Sequence, residues 1–343
     1  MSARQTIIPV FVPHVGCPND CVFCNQRRIS GVVRPITPEE VSRAICEGAA
    51  ITPDGVQRQL AFYGGSFTAI PEAEQIALLE AAQPYLADGT LSSLRLSTRP
   101  DAIDEATLQR LKRYGVKTIE LGAQSMDDAV LTLSGRGHTA AQVAEAAGMV
   151  KSFGFELILQ MMTGLPGDEE GAASLMTAKA IAALRPDGVR IYPTVIVRDT
   201  ALYEQWKVGS YREHTVEDAV ALCARLVPIF ENAGIPIIRL GLNPTEDLSA
   251  GDAAGGAYHP ALGELVRSRM MLNTVRERLQ ACKEGEKVMI EVGKGKLSQM
   301  IGQKRCNIIA LQDEFGLSEL KIREIDRKTN EIFVNIIANQ KEM

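Results

Sequence analysis

Residues 13–25 read PHVGCPNDCVFCN, and the meaning of the three cysteines in this stretch decides the fold. Cys17, Cys21 and Cys24 follow a C-x3-C-x2-C spacing and are three of the seven cysteines in the chain. Thiolates are soft ligands that suit zinc or iron–sulfur clusters. A closed structural zinc site wants four ligands, usually as two separated pairs, and no second pair follows. Cys46, Cys223, Cys282 and Cys306 stand alone and read as small buried apolar side chains. Three thiolates on a four-iron cluster leave one iron open to a cofactor or substrate. A zinc loop completed by His14, or a chance cluster, competes with that reading.

Working outward, apolar strand-like runs occur at 7–12, 59–65, 93–99, 117–124, 155–162 and 188–197. Segments with helical spacing lie between them. Thr37 is a plausible N-cap with Pro38 and acids in the first turn, and Tyr114-Gly115 and Phe153-Gly154 close two helices. Six β/α alternations imply parallel strands under helices, in a barrel or partial barrel. Chemistry in such folds sits at the C-terminal strand ends. The cysteine loop, GGSFT, STRPD and GAQS all fall there. A helix at 215–234, a strand-like 235–242, a Gly-rich loop at 250–260 and a helix at 261–282 follow. The last of these is expected to end the main domain.

The 343 residues are 45% apolar, enough for a substantial core and one or two domains. No run approaches the roughly 18 apolar residues of a membrane span. Prolines interrupt the apolar N-terminal patch, so no secretory signal is expected. The clustered cysteines do not resemble a disulfide framework, and a reduced, cytoplasmic protein is expected. A net charge of −5 argues against a uniformly basic nucleic-acid binder but leaves room for a local basic patch.

With Phe23 before its last cysteine, the motif resembles the radical S-adenosylmethionine (radical SAM) superfamily. The resemblance implies a 4Fe–4S cluster on Cys17, Cys21 and Cys24, with S-adenosylmethionine chelating the fourth iron. It implies one-electron cleavage to methionine and a 5′-deoxyadenosyl radical, fed by an electron donor such as a flavodoxin or ferredoxin. Gly64, Gly65 and Ser66 stand where the family has its glycine-rich second-strand loop. ELGAQSMDDAVLTLSGRGHT (120–139) resembles the Elongator catalytic subunit and anaerobic coproporphyrinogen dehydrogenase branches. There Gln124 and Arg136 match cofactor-contacting positions, and an arginine fork suits a carboxylate. LQMMTGLPGD (159–168) matches the fifth-strand segment; it implies contacts from Gln160, which replaces an acid, and Met162. Ser97 in STRPD stands for the acid of E-T-R-P-D. IYPTVIVRDTALYEQW (191–206), with Tyr192 as a further cofactor candidate, extends the likeness into the Elongator-like branch. No acetyltransferase domain is expected in the remaining length.

Residues 287–337 read β-α-α-β-β. Ile301-Gly302-Gln303-Lys304-Arg305-Cys306-Asn307-Ile308 resembles the I-G-x-x-G-x-x-I loop of KH modules, which clamp single-stranded nucleic acid. Arg305 replaces the second glycine. Lys294, Lys296, Lys304 and Arg305 are the RNA-binding candidates; a degenerate structural cap and an unrelated appendage are the alternatives. Of the histidines, His14 precedes the cluster loop, His138 borders the cofactor segment and His214 reads as exposed. Tyr258 and His259 follow the Gly-rich loop and are the candidates for substrate chemistry or simple loop packing.

The expected fold is α/β. A partial (β/α)6 radical SAM barrel spans 1–200, an Elongator-like extension 201–284, and a small βααββ KH-like domain 285–343. The expected activity is radical modification of RNA, most simply tRNA. Action on a tetrapyrrole or other metabolite, and a non-enzymatic zinc-dependent RNA-binding protein, are the other readings. No membrane partner is expected; the sequence does not give the oligomeric state.

Overall fold

Apolar residues recur at every second position in one set of segments and at helical spacing in the next, so strand and helix alternate. The computed structural model describes residues 5–12, 21–24, 34–242, 253–327, 329 and 331–337. In order, the elements are β1 (Gln5–Val12), α1 (Pro38–Ile51), β2 (Gln57–Gly64), α2 (Glu72–Ala81), α3 (Gln83–Ala87), β3 (Ser93–Thr98) and α4 (Glu105–Arg113). Next come β4 (Val116–Gln124), α5 (Asp128–Leu133), α6 (Ala140–Ser152), β5 (Glu156–Thr163), α7 (Ala172–Leu184) and β6 (Gly188–Pro193). β7 (Val195–Val197), α8 (Ala201–Lys207), α9 (Val216–Asn232), β8 (Ile237–Leu240) and β9 (Ala253–Gly256) follow.

Strands β1 to β6 and then β8 form one sheet in sequence order. Every pairing is parallel. This is the partial α/β barrel expected, with the 235–242 stretch supplying a seventh strand beside β6. The run at 188–197 is not one strand. Thr194 bonds the Thr163 carbonyl through both its N–H (2.9 Å) and its hydroxyl (2.7 Å), and the chain leaves the sheet there. β7 then pairs antiparallel with β9, which lies in the stretch read as a loop.

Local signals explain the helix ends. Thr37 and Glu40 form a reciprocal capping box with Pro38 in the first turn. Gly115 and Gly154 take the left-handed conformation that ends α4 and α6. The segment around 70–86 breaks into α2 and α3 just before Pro84, whose missing N–H cannot continue the ladder.

Parallel strands covered on both faces usually read as continuous apolar runs. These do not. On β4, Ile119, Leu121 and Ala123 are fully buried, while Thr118, Glu120, Gly122 and Gln124 alternate with them. On β3, Leu94 and Leu96 alternate with Ser93, Arg95 and Ser97; on β6, Val189 and Ile191 alternate with Arg190 and Tyr192. One face of the sheet is therefore the apolar core. The other is a polar interior, the mark of a site.

The chain divides into two compact units, residues 1–215 with 226–258, and residues 216–225 with 259–343. The second contains α10 (Leu262–Leu279), β10 (Lys287–Gly293), α11 (Leu297–Ile301), α12 (Cys306–Phe315), β11 (Glu319–Ile325) and β12 (Ile332–Ile337). Central β10 pairs parallel with β11 and antiparallel with β12. The helix at 261–282, expected to close the main domain, instead sends Leu272, Val275 and Leu279 into a core with Val288, Ile290, Met300 and Leu311. Buried Asn307 donates to Ser268 Oγ (2.9 Å) and the Met300 carbonyl (3.1 Å), tying α12 to α10 and α11.

Candidate active site at the strand ends

Cys21 is buried and Cys24 half-buried. The Cys24 N–H donates to the Cys21 carbonyl at 2.9 Å, which closes a tight turn. Two backbone bonds pin that turn: Val22 N–H to the Ser134 carbonyl (3.0 Å), and Leu202 N–H to the Val22 carbonyl (2.7 Å). Phe23 packs against Val130 and Leu165. Cys17 and His14 lie outside the described residues. Among the described residues no three of His, Cys, Asp or Glu gather as a metal site.

The glycine-rich loop abuts the end of β1. Gly64 has φ +95°, and a Cβ there would meet the Val12 carbonyl oxygen at 2.7 Å. Only glycine fits such a position without strain. The Gly65 N–H bonds the same carbonyl at 2.9 Å. Buried Ser66 follows, and Phe67 anchors the loop against Phe62, with ring centroids 4.8 Å apart. The strand that feeds the cysteine stretch and the glycine loop are thus fixed to each other.

The end of β4 brings three polar side chains together. Arg136 is 9% exposed. Its Nη2 donates to the Gly122 carbonyl at 2.8 Å, and its Nη1 lies 3.5 Å from Cys21 Sγ. Gly122 is small for a reason: a Cβ there would meet Arg136 Nη2 at 2.8 Å. Buried Arg99 donates to the Arg136 carbonyl at 2.8 Å and pairs with Asp101 at 2.9 Å, so STRPD braces the arginine loop. That bracing role is not evident in the sequence. Gln124 takes φ +64°, a left-handed conformation unusual for glutamine. His138 is buried, with Nε2 3.1 Å from the Ala123 carbonyl. A carbonyl only accepts, so Nε2 carries the proton and Nδ1 is a bare acceptor. Burial, with the Arg136 charge second, lowers the His138 pKa to about 4, so the ring is neutral at pH 7.

Among the described residues, Gln124 Oε1, Arg136 Nε and His138 Nδ1 are all buried without a hydrogen-bond partner. Each such atom costs roughly 1–3 kcal/mol unless a ligand satisfies it. Beside Cys21 they suit a cofactor that offers both donors and acceptors, as an amino acid carrying a ribose does. The donor set therefore fits a cluster-bound S-adenosylmethionine.

The other expected contact residues lie on the same sheet. Ser97, Gln160, Met162 and Tyr192 are half-buried on β3, β5 and β6. Gln160 Nε2 donates to Glu120 at 3.0 Å. Met162 packs on the cluster that holds Phe23. Burial raises the Tyr192 pKa, which keeps its phenol protonated.

Tyr258 packs against Val195 and Val197. His259 Nδ1 accepts from the Ala261 N–H at 3.1 Å, at the start of α10. His214, read as exposed, is half-buried; its Nε2 lies 3.1 Å from Thr163 Oγ1, and its ring fills the space a Cβ on Gly164 would need. Of the isolated cysteines, Cys223 is buried, but Cys46 and Cys306 are exposed and Cys282 is intermediate. In the C-terminal unit, Lys294 pairs with Asp326 at 2.9 Å, Lys296 precedes α11, and Lys304 and Arg305 are exposed.

Residues 11–175 match the model of the Radical SAM superfamily, and residues 186–271 match the Radical SAM C-terminal domain. Mouse Elongator complex protein 3 is 29% identical over 226 residues, covering 60% of this chain and 40% of that protein. The tRNA uridine(34) acetyltransferase of Methanocaldococcus jannaschii is 28% identical over 219 residues, covering 63% and 40%. The chain thus spans about 40% of the length of these relatives. The solved structure of Methanocaldococcus infernus Elp3 shares the fold, with a TM-score of 0.62 and 22% identity over 82% of this chain and 66% of that one.

Proposed function

This chain belongs to the radical SAM superfamily of enzymes, and on that premise we propose that it modifies RNA, with tRNA as the substrate. Cys17, Cys21 and Cys24 would hold the 4Fe–4S cluster. When bound, cluster and S-adenosylmethionine supply an electron and a 5′-deoxyadenosyl radical. The chain's own residues bind and orient. Gly64, Gly65 and Ser66 bring backbone against the cofactor, and Gln124, Arg136 and His138 offer it their unsatisfied atoms. Ser97, Gln160, Met162 and Tyr192 line the remaining approach. Lys294, Lys296, Lys304 and Arg305 are assigned to RNA, and a flavodoxin or ferredoxin to electron delivery.

The observation that carries this reading is the Arg136 guanidinium reaching from the Gly122 carbonyl to Cys21 Sγ. It joins the cysteine turn to the orphaned atoms of β4. The tRNA assignment draws on the likeness to Elongator complex protein 3 and the archaeal tRNA uridine(34) acetyltransferase.

The test is anaerobic reconstitution. About four irons and four sulfides per chain are expected, together with 5′-deoxyadenosine release on reduction with S-adenosylmethionine. Cys21→Ala abolishes both. Zinc without sulfide, or cleavage retained in Cys21→Ala, sinks the assignment. Sequencing of RNA that co-purifies with the anaerobically prepared protein tests the substrate.

A further inference from the structure

The middle of the main sheet carries a charge layer beneath the cofactor residues. Side chains from β2, β3, β5 and β6 converge on Glu120 of β4, which is fully buried. Its two oxygens already accept from the Tyr63 hydroxyl (2.7 Å), Gln160 Nε2 (3.0 Å), Arg190 Nε (2.8 Å) and Arg190 Nη2 (3.0 Å). Arg190 also donates to the Tyr63 oxygen at 3.2 Å. The carboxylate needs nothing more.

Arg95 nevertheless stands beside it, 5% exposed. Its Nη1 is 3.5 Å from Glu120 Oε1, an ion-pair distance without a hydrogen bond. Its Nε is buried and without a partner. A guanidinium has five N–H donors, and here the Nε donor is taken by no described residue and Nη1 only approaches the carboxylate. Two arginines thus share one carboxylate, and the layer keeps a positive charge. Tyr63, Ser97, Gln160 and Tyr192 around the layer are only half-buried.

Burying an incompletely paired charge is costly, and replacing such a group with an apolar one is often neutral or stabilising. A structural role alone leaves Arg95 unexplained, because Arg190 by itself neutralises Glu120. A planar fork with open donors in a low-dielectric interior is suited to a bidentate oxyanion. We propose that Arg95, beside the Arg190 that Glu120 holds in place, forms an anion subsite for a phosphate or carboxylate of the molecule acted on. That the anion belongs to the substrate rests on the radical SAM reading; that an anion binds does not.

Thermal unfolding of the full-length chain decides it, with inorganic phosphate, a nucleoside 5′-monophosphate, its parent nucleoside and acetate titrated separately. Ligands that bind the native state raise the Tm. Phosphate is expected to raise it. A larger rise with the monophosphate than with the nucleoside assigns the anion to a nucleotide; acetate as effective as phosphate assigns it to a carboxylic acid. Arg95→Gln weakens the apparent affinity at least tenfold, and Arg95→Lys, which keeps charge but not the fork, weakens it less. Arg113→Gln, an exposed arginine on α4, leaves the response unchanged. No response to any anion overturns the proposal, as does an undiminished response in Arg95→Gln. Should that variant not fold, an undiminished response in Arg95→Lys overturns it instead. Failure of the cluster-loaded protein to release 5′-deoxyadenosine, with the anion response intact, removes the enzymatic reading and leaves the subsite standing.

Discussion

The end of β4 and the basic loop of the C-terminal unit both present arginine where the sequence suggests a ligand. Physically they are unlike. Arg136 is buried, bonded to a strand carbonyl and braced by Arg99, and it keeps an orphaned Nε. Arg305 is exposed, on a loop whose neighbour Lys304 also lies in the left-handed region. Water solvates an exposed cation at no cost, so its presence says little about function. A buried polar atom without a partner destabilises the fold, so its presence asks for a ligand. Burial, more than charge, therefore separates the strong site from the weak one.

The comparison breaks most readily at Glu120. Glu120→Ala leaves Arg95 and Arg190 buried without their counter-charge. Removing one partner of a buried pair costs about 3–5 kcal/mol. Urea unfolding measures it, and a loss under about 1 kcal/mol would mean that water reaches the layer freely enough to replace the carboxylate.

His138 gives a pH signature. Its pKa falls from 6.5 unfolded to about 4 folded. Above pH 6.5 both states are neutral and no penalty applies. Between pH 6.5 and 4 the unfolded chain binds the proton first, so stability falls with falling pH, by roughly 3 kcal/mol in all. His138→Gln is expected to flatten that part of the pH–stability curve. An identical curve for the variant would show an imidazole that titrates in the fold as it does in water.

Arg136 sharpens the same contrast through binding. Arg136→Ala is expected to weaken S-adenosylmethionine by about 1.5–3 kcal/mol, the range for a charged hydrogen bond. Arg136→Lys recovers only part, because an ammonium cannot span from the Gly122 carbonyl to Cys21 Sγ as the fork does. Calorimetry on the cluster-loaded proteins compares them; equal affinity in all three places the guanidinium outside the cofactor site.

What the sequence revealed follows the range of the forces involved. The Thr37 cap, the glycine stops and the strand runs are local, and they hold in the structure except that the run at 188–197 is cut at Thr194. The C-x3-C-x2-C motif and GGSFT are read from adjacent residues. The Glu120 layer draws single residues from five strands spread over 128 positions, Tyr63 to Arg190, and no local window contains it. One signal was present: Ser93, Arg95 and Ser97 alternate with Leu94 and Leu96 in the run at 93–99, and polar alternation inside a parallel sheet marks an interior that is not core. His214 escaped for the same reason as Glu120, since its contact with Thr163 and Gly164 spans about fifty residues of chain. The helix at 261–282 could not be assigned to a core by its own periodicity, because the stripe shows that a face is buried but not against what.

The smallest expected effect is at Arg305. In the KH resemblance a glycine stands there, and Arg305 adopts the backbone a glycine would, with φ +64° and ψ 24°, just before α12. A left-handed conformation costs a non-glycine residue about 1 kcal/mol. Arg305→Gly removes that strain but returns conformational freedom to the unfolded chain. The two effects oppose each other, so stability should stay level or rise by up to about 1 kcal/mol. RNA binding separates the remaining readings. On a single strand, each phosphate that the protein no longer neutralises lowers the log–log salt slope by about 0.7. Arg305→Gly is therefore expected to lower it by about 0.7, and Lys304→Gln with Arg305→Gln by roughly 1.4. Filter binding of unmodified tRNA across a salt series reads the slope, and urea unfolding reads the stability. A stable Arg305→Gly protein with an unchanged slope would make the C-terminal unit a structural cap. The RNA would then have to be held at the strand ends, where the buried arginines lie.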